Sequence, residues 1–178
     1  MKYFAYGSNM LTERLTLRVP EARCLGVARV PGHRLTFHKR SDDKSGKCDL
    51  PKTGSNSDVA YGVLFDVPDS QRRALDDAEG LGHGYTDAPI EVLDADSCPV
   101  SAIGYFATKD AINLELAPYD WYHCLVVSGA RQHNLPADYV ASITAVPSVA
   151  DPMPKRKTRL EALHALKNAN VEFTGIAS

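Results

Sequence analysis

The sequence predicts an α+β protein built around one main domain, and three features of the chain support this. Its 178 residues match the usual size of a single domain. Residues 59–67 are apolar on both faces of an extended chain, whereas the chain after Pro118 has apolar residues at helical spacing. Strands and helices do not alternate regularly, which argues against a doubly wound parallel sheet.

The first forty residues predict a strand, a short helix and a pair of strands. Residues 2–6 are apolar and aromatic up to Gly7, which is typical of a short strand that ends in a turn. Residues 11–18 have the spacing of a short helix that ends before Pro20. Alternating apolar residues across 24–39 predict two strands around a turn.

The middle of the chain predicts a loop, a central strand and a helix. Residues 41–57 are polar and contain several glycine and proline turns, so we expect the most mobile loop there. Residues 59–67 predict a central strand that is covered on both sides, because both of its faces are apolar. A helix should follow, with Asp69 or Ser70 as its N-cap and Gly80 as its C-terminal stop.

The rest of the chain predicts two strands and then helices. Residues 85–93 and 100–108 have the pattern of two strands joined by a turn. The helical pattern that begins after Pro118 continues at 137–146, and residues 158–169 predict a last amphipathic helix.

Composition narrows the class of function. The chain has 22 acidic and 20 basic residues, and this balance argues against a surface for nucleic acid or an anionic membrane. No apolar run reaches the roughly 18 residues of a membrane helix, and the N-terminus lacks the apolar core of a signal peptide. The four cysteines are widely separated and lack metal-ligand spacing, so we expect no metal site, free and mostly buried thiols, and a cytoplasmic protein.

The first candidate site is the turn Tyr6-Gly7-Ser8-Asn9 between the first strand and the first helix. Backbone N–H groups in such a turn can converge on an anion. The spacing is that of neither a P-loop nor a nucleophile elbow. A simple strand-to-helix turn without a ligand is the alternative interpretation.

The second candidate site is the acidic helix end at residues 76–80. Its three carboxylates lie where the helix dipole is negative, an arrangement that suits a general base. We expect Asp76 and Asp77 to point to water and Glu79 to face a cleft shaped by the glycine-rich loop 81–85. An exposed acidic helix end without function is the alternative interpretation.

The run Tyr3-Phe4-Ala5-Tyr6-Gly7-Ser8-Asn9-Met10-Leu11-Thr12-Glu13-Arg14 resembles the opening of the gamma-glutamylcyclotransferases. The resemblance extends over residues 2–146 through further short matches, at 26–29, 61–63, 75–80, 129–130 and 134–136. It implies a small, strongly curved mixed β-sheet or barrel flanked by helices. We therefore place a catalytic domain at 1–148 and interpret 149–178 as a proline-broken linker with a C-terminal helix.

The resemblance also implies the residues of the site. Glu79 would be the catalytic acid/base, and Asn9 would hold the shape of the turn. The implied substrate contacts are Tyr3, Phe4, Ala5, Tyr6, Gly7, Ser8, Tyr85 and Tyr122. We expect Gly7 to need a backbone conformation that is open mainly to glycine, because the main chain would approach the substrate there.

The implied chemistry needs neither cofactor nor metal. The α-amino group of a gamma-glutamyl amino acid or peptide attacks its own γ-carbonyl, which yields 5-oxoproline and the free amino acid. The partner would be this small-molecule substrate, and a homodimer is left open. Two alternatives remain: a substrate that is a gamma-glutamylamine or a gamma-glutamyl-capped biosynthetic intermediate, or a non-catalytic binding protein of the same fold.

Overall fold

The computed structural model describes residues 1–55 and 57–176. Its strands are β1 Lys2–Ala5, β2 Arg23–Pro31, β3 Thr36–Arg40, β4 Gly46–Asp49, β5 Val59–Asp66, β6 Tyr85–Leu93 and β7 Pro99–Ala107. Its α-helices are α1 Thr12–Thr16, α2 Arg72–Glu79, α3 Asp120–Gln132, α4 Ala137–Thr144 and α5 Lys157–Asn168. Short 3₁₀ turns lie at Ser8–Met10, Asp69–Gln71 and Lys109–Ala111.

Five of the strands form a closed barrel in the order β1-β5-β2-β6-β7. The barrel closes where β1 pairs in parallel with β7, and the other neighbours pair antiparallel. The predicted α+β fold with a small barrel-like sheet and flanking helices is confirmed. The prediction of a central strand at 59–67 is also confirmed, since β5 lies between β1 and β2 and is mostly buried.

The strands predicted within 24–39 exist, but they do not pair with each other. Both edges of β2 are occupied by β5 and β6 in the barrel, so no edge remains for β3. Strand β3 pairs instead with β4 in a separate two-stranded sheet.

The prediction of a loop at 41–57 is wrong in part, because the segment includes a strand. This strand is β4, and Cys48, Asp49 and Leu50 are buried. The polar side chains here bond to one another, because Asp43 accepts hydrogen bonds from Lys47 and Ser45. Of this segment, Asn56 lies outside the described residues.

Helix α2 begins differently from the prediction and ends as predicted. Residues Asp69–Gln71 form a 3₁₀ turn, and the α-helix starts after Gln71 without a side-chain cap, so neither Asp69 nor Ser70 is its N-cap. Gly80 is the C-cap with φ of 72°, a left-handed conformation that glycine adopts without strain. The chain therefore turns sharply directly after Glu79.

Helix α3 packs closely against the turn that joins β1 to α1. A Cβ atom at Gly129 would lie 2.4 Å from the backbone nitrogen of Leu11, so only glycine lets the helix approach so closely. The segment after α4 packs back onto the same helix, where Asp151 accepts a hydrogen bond from the Trp121 indole at 3.0 Å. The division of function at residue 148 stays a prediction.

The four cysteines are free, but they are not mostly buried as predicted. Cys48 is buried, Cys124 is half-buried, and Cys24 and Cys98 are exposed. The exposed pair lies at the outer start of β2 and in the turn before β7, where the chain faces solvent.

Within the part of the chain that is described, no helix is both long and apolar enough to cross a membrane. The same residues contain no group of three or more His, Cys, Asp or Glu side chains placed to hold a metal ion.

Candidate active site

Glu79, the last residue of α2, carries its carboxylate toward the barrel wall. Its Oε1 atom accepts a hydrogen bond from the hydroxyl of Tyr3 and one from Asn9 Nδ2 at 2.8 Å. The left-handed turn at Gly80 ends the helix here, so the carboxylate lies at the opening of a cleft rather than within a continuing helix. The expected position of Glu79 facing a cleft is therefore observed.

Asn9 links this carboxylate to a cation. Its side chain is 2% exposed, and its Oδ1 accepts a hydrogen bond from Arg18 Nη1 at 3.1 Å. Because Arg18 holds the amide oxygen, the Nδ2 donor faces the Glu79 carboxylate and the Tyr3 hydroxyl, which lies 3.4 Å away. Asn9 thus contacts the acidic group itself, in addition to the expected role in the turn.

The site has a closed inner part and an open outer part. The inner slot has a volume of about 30 Å³ and is lined by Tyr3, Tyr6, Gly7, Ser8, Asn9, Cys48, Glu79, Tyr85, Tyr105 and Tyr122. The outer cleft, of about 490 Å³, shares four of these residues with the slot: Ser8, Glu79, Tyr85 and Tyr122. Glu79 therefore lies where a ligand in the open cleft meets the closed slot.

Most of the predicted site residues meet here, but Phe4 and Ala5 line neither cavity. Phe4 lies on the face of β1 opposite Tyr3, and its ring packs over Gly62 of the neighbouring strand. Ala5 is fully buried in the barrel wall. Neither side chain is therefore available to a ligand in the cavity.

Gly7 is required for a different reason from the one expected. Its φ of −117° lies outside the left-handed region, so the conformation is not restricted to glycine. A Cβ atom there would lie 3.0 Å from the Cβ of Cys48 and 3.5 Å from the hydroxyl of Tyr122. The constraint is therefore the space between the turn and β4.

Three tyrosines of the slot, Tyr6, Tyr85 and Tyr122, have neutral hydroxyl groups that bond to the backbone. The Tyr85 hydroxyl donates to the carbonyl of Cys48, and the Cys48 N–H donates to the Tyr122 hydroxyl at 3.1 Å. The Tyr6 hydroxyl donates to the carbonyl of Tyr105. Burial raises the pKa of Tyr6, Tyr85 and Tyr122 well above 10, so all three remain protonated at neutral pH.

The buried thiol in the slot is not an activated nucleophile. Burial raises the pKa of Cys48 to about 12, so the reactive thiolate is scarcely populated near neutral pH.

Comparison with known proteins identifies the family. The AIG2-like family model matches residues 59–143. The human protein gamma-glutamylcyclotransferase is 31% identical over 153 residues, which cover 81% of this chain and 77% of that protein. The chain belongs to the gamma-glutamylcyclotransferase family. The mouse gamma-glutamylcyclotransferase is 32% identical with the same coverage.

A solved structure described as a gamma-glutamyl cyclotransferase has the same fold as this family member. It superposes with a TM-score of 0.79 at 27% identity, and the match covers 92% of this chain and 98% of that one. The resemblance found in the sequence is thereby confirmed.

Two residues of this gamma-glutamylcyclotransferase-family site depart from what the sequence predicted. Asp76 was expected to point to water, but it pairs with Arg72 Nε at 2.9 Å and accepts a hydrogen bond from the Tyr105 hydroxyl at 2.5 Å. Arg72 lies one helical turn earlier and neutralises the carboxylate, whereas Asp77 is exposed as predicted. Tyr105 was missed, because nothing in the pattern of β7 distinguishes it from a core tyrosine.

Proposed function

We propose that this protein is a gamma-glutamylcyclotransferase, which converts a gamma-glutamyl amino acid or peptide into 5-oxoproline and the free amino acid. The observation that carries this proposal is the Glu79 carboxylate, which Tyr3 and Asn9 orient at the junction of the slot and the cleft. The reaction needs one oriented proton acceptor beside a folded substrate, and this arrangement supplies it.

The proton transfers can be assigned to one residue. Glu79 takes a proton from the α-ammonium group of the substrate and passes it to solvent, and the resulting amine attacks the γ-carbonyl carbon to close a five-membered ring. The attacking nitrogen then gives its surplus proton to Glu79, which leaves a neutral N–H in the ring. As the C–N bond to the leaving group breaks, protonated Glu79 returns the proton to the leaving nitrogen. The carboxylate is regenerated, and no other residue has to be covalently modified.

The turn at residues 6–8 binds the negative charge in this mechanism. Its backbone N–H groups hold the α-carboxylate of the gamma-glutamyl group or the oxyanion that develops on the γ-carbonyl. Tyr85 and Tyr122, which are neutral, exclude water from the slot without placing a competing negative charge there.

The finer features of the proposal follow from this mechanism. The nucleophile belongs to the substrate, so we propose a cofactor-free acyltransferase or lyase type of reaction. We assign it to residues 1–148, with a small-molecule gamma-glutamyl compound as the partner rather than nucleic acid or a membrane. We further propose a cytoplasmic location, and a homodimer is to be tested by sedimentation.

The test is incubation with a panel of gamma-glutamyl amino acids, gamma-glutamylamines and peptides, with mass spectrometry of 5-oxoproline. We expect stoichiometric 5-oxoproline and free amine from at least one member. The N-acetylated form of that substrate is the matched control and should not react, because its nitrogen cannot attack. Binding of the panel without any 5-oxoproline would instead indicate the non-catalytic binding protein.

A further inference from the structure

Arg14 is a buried cation that the mechanism above does not use. Its residue is 4% exposed on α1, and its Nε has no hydrogen-bond partner among the described residues. None of the ion pairs formed within this part of the chain includes it. Burial lowers the pKa of the guanidinium to about 9, so the group is still charged at neutral pH. A charge in this position is costly unless a partner arrives.

Arg14 is one of the residues that line the open cleft leading to Glu79. Two other cations of this cleft, Arg18 and Lys39, also have no carboxylate partner among the residues that the structure describes. Arg18 donates to the neutral amide oxygen of Asn9, and Lys39 donates to the carbonyl of His83 at 3.1 Å.

The remaining charges of the cleft are either paired or exposed. Lys47 pairs with Asp43 at 2.7 Å and Arg156 pairs with Asp151 at 2.9 Å. Asp42 and Asp77, both exposed, lie in water, where their charge is screened. The buried part of the cleft is therefore positive apart from Glu79.

We propose that Arg14 binds the free carboxylate of the amino acid that leaves in the reaction, and that it thereby selects gamma-glutamyl compounds with an anionic leaving group. This rests on the proposed function. The leaving nitrogen must lie beside Glu79, which lines both the slot and the open cleft, and the groups attached to this nitrogen extend into the cleft of about 490 Å³. Guanidinium matches a carboxylate with two parallel N–H donors.

A purely structural role for Arg14 is the competing explanation. Arg14 also borders a second cavity of about 460 Å³ beside α5, and it is attracted by the charge of Glu161 on that helix. A structural role would change stability without distinguishing one leaving group from another. The test therefore compares two ligands that differ only in the carboxylate.

The ligands are gamma-glutamylalanine and the same compound with alanine amide as the leaving group. Their dissociation constants are measured by titration calorimetry in a Glu79→Gln background, so that neither is consumed. We expect the acid to bind at least about 10-fold more tightly than the amide. Arg14→Met should weaken binding of the acid by about 10- to 100-fold and binding of the amide by less than about threefold. Arg14→Lys should fall between, because it keeps the charge but not the paired donors.

Arg131→Met is the matched control, because it removes one exposed arginine on α3 outside the cleft, and it should leave both constants unchanged. Equal binding of acid and amide by the parent protein would overturn the proposal, and this result is available even if Arg14→Met fails to fold. Equal weakening of both ligands by Arg14→Met would show a structural role instead. The wild-type protein could also bind the acid tightly, lose this affinity on Arg14→Met, and yet make no 5-oxoproline. That result would support the carboxylate site and reject the proposed reaction.

Discussion

Replacing Asn9 by alanine removes one of the two hydrogen-bond donors that orient the Glu79 carboxylate. The Nδ2–Oε1 distance is 2.8 Å, and the amide is fixed from its other end by Arg18. The Tyr3 hydroxyl would remain as a donor, but it alone leaves the carboxylate free to rotate about that bond. We expect Asn9→Ala to fold and to lose activity.

The size of the loss can be worked from the contact. A hydrogen bond to a charged group contributes about 1.5–3 kcal/mol. Since about 1.4 kcal/mol corresponds to a tenfold change in rate, kcat/KM should fall by about 10- to 150-fold. The assay is the initial rate of 5-oxoproline formation over a range of concentrations of the best substrate in the panel.

Asn168→Ala is the matched control, because that amide is exposed at the end of α5, and its kcat/KM should stay within about twofold of wild type. Circular dichroism of Asn9→Ala establishes that the fold survives. If Asn9→Ala keeps more than half of the wild-type kcat/KM, anchoring of the carboxylate by the amide is not needed and this reasoning is refuted.

Other predictions follow from the turn, the thiol and a buried ion pair. Gly7→Val should abolish measurable binding of gamma-glutamyl substrate in a folded protein, because the valine side chain would enter the space beside Cys48. Ser8→Ala should lose much less binding affinity, and equal losses of affinity in titration calorimetry would contradict this prediction. Iodoacetamide at pH 7.5 should modify the two exposed cysteines and leave activity intact, and inactivation that tracks modification of Cys48 by peptide mapping would contradict it. Burial opposes ionisation of Asp151, but hydrogen bonds from Arg156, a backbone N–H and an indole lower its pKa below 3.8. The folded state therefore gains stability from this group above pH 3.8 and loses it as the pH falls further. Asp151→Asn should lower the free energy of unfolding by about 1–3 kcal/mol at pH 7, and urea titrations should show a smaller decrease of this free energy toward acid pH than in wild type.

The parts of the fold that the sequence predicts are those determined by local pattern. Strand β5 was identified because both of its faces are apolar, and the end of α2 because Gly80 follows a helical stretch. Strand β4 was missed because its sequence is polar. The polar side chains in and just before it bond to one another, and its backbone pairs with β3, but neither kind of contact produces an alternating pattern in the sequence. The partners of β2 and β3 depend on closure of the barrel, which no short segment encodes.

The same distinction applies to the site. Glu79 and the turn at 6–9 carry their chemistry in adjacent residues, so both could be identified before the fold was known. The bond between Asn9 and Glu79 joins positions 70 residues apart, and it exists only because the barrel brings α2 beside the turn. Tyr105 and Arg14 have no local signature either, since their roles depend on burial and on which groups lie beside them.

The most direct test of the central claim is the turnover of Glu79→Gln measured together with its substrate affinity. Glutamine can still accept hydrogen bonds from Tyr3 and Asn9, but it cannot take up the ammonium proton. We expect kcat to fall by about 10²–10⁴-fold while the dissociation constant stays within about threefold of wild type. Asp77→Asn, which removes an exposed carboxylate from the same helical turn, should keep nearly full activity. A Glu79→Gln protein that retains more than a tenth of the wild-type turnover would contradict the assignment of Glu79 as the acid/base.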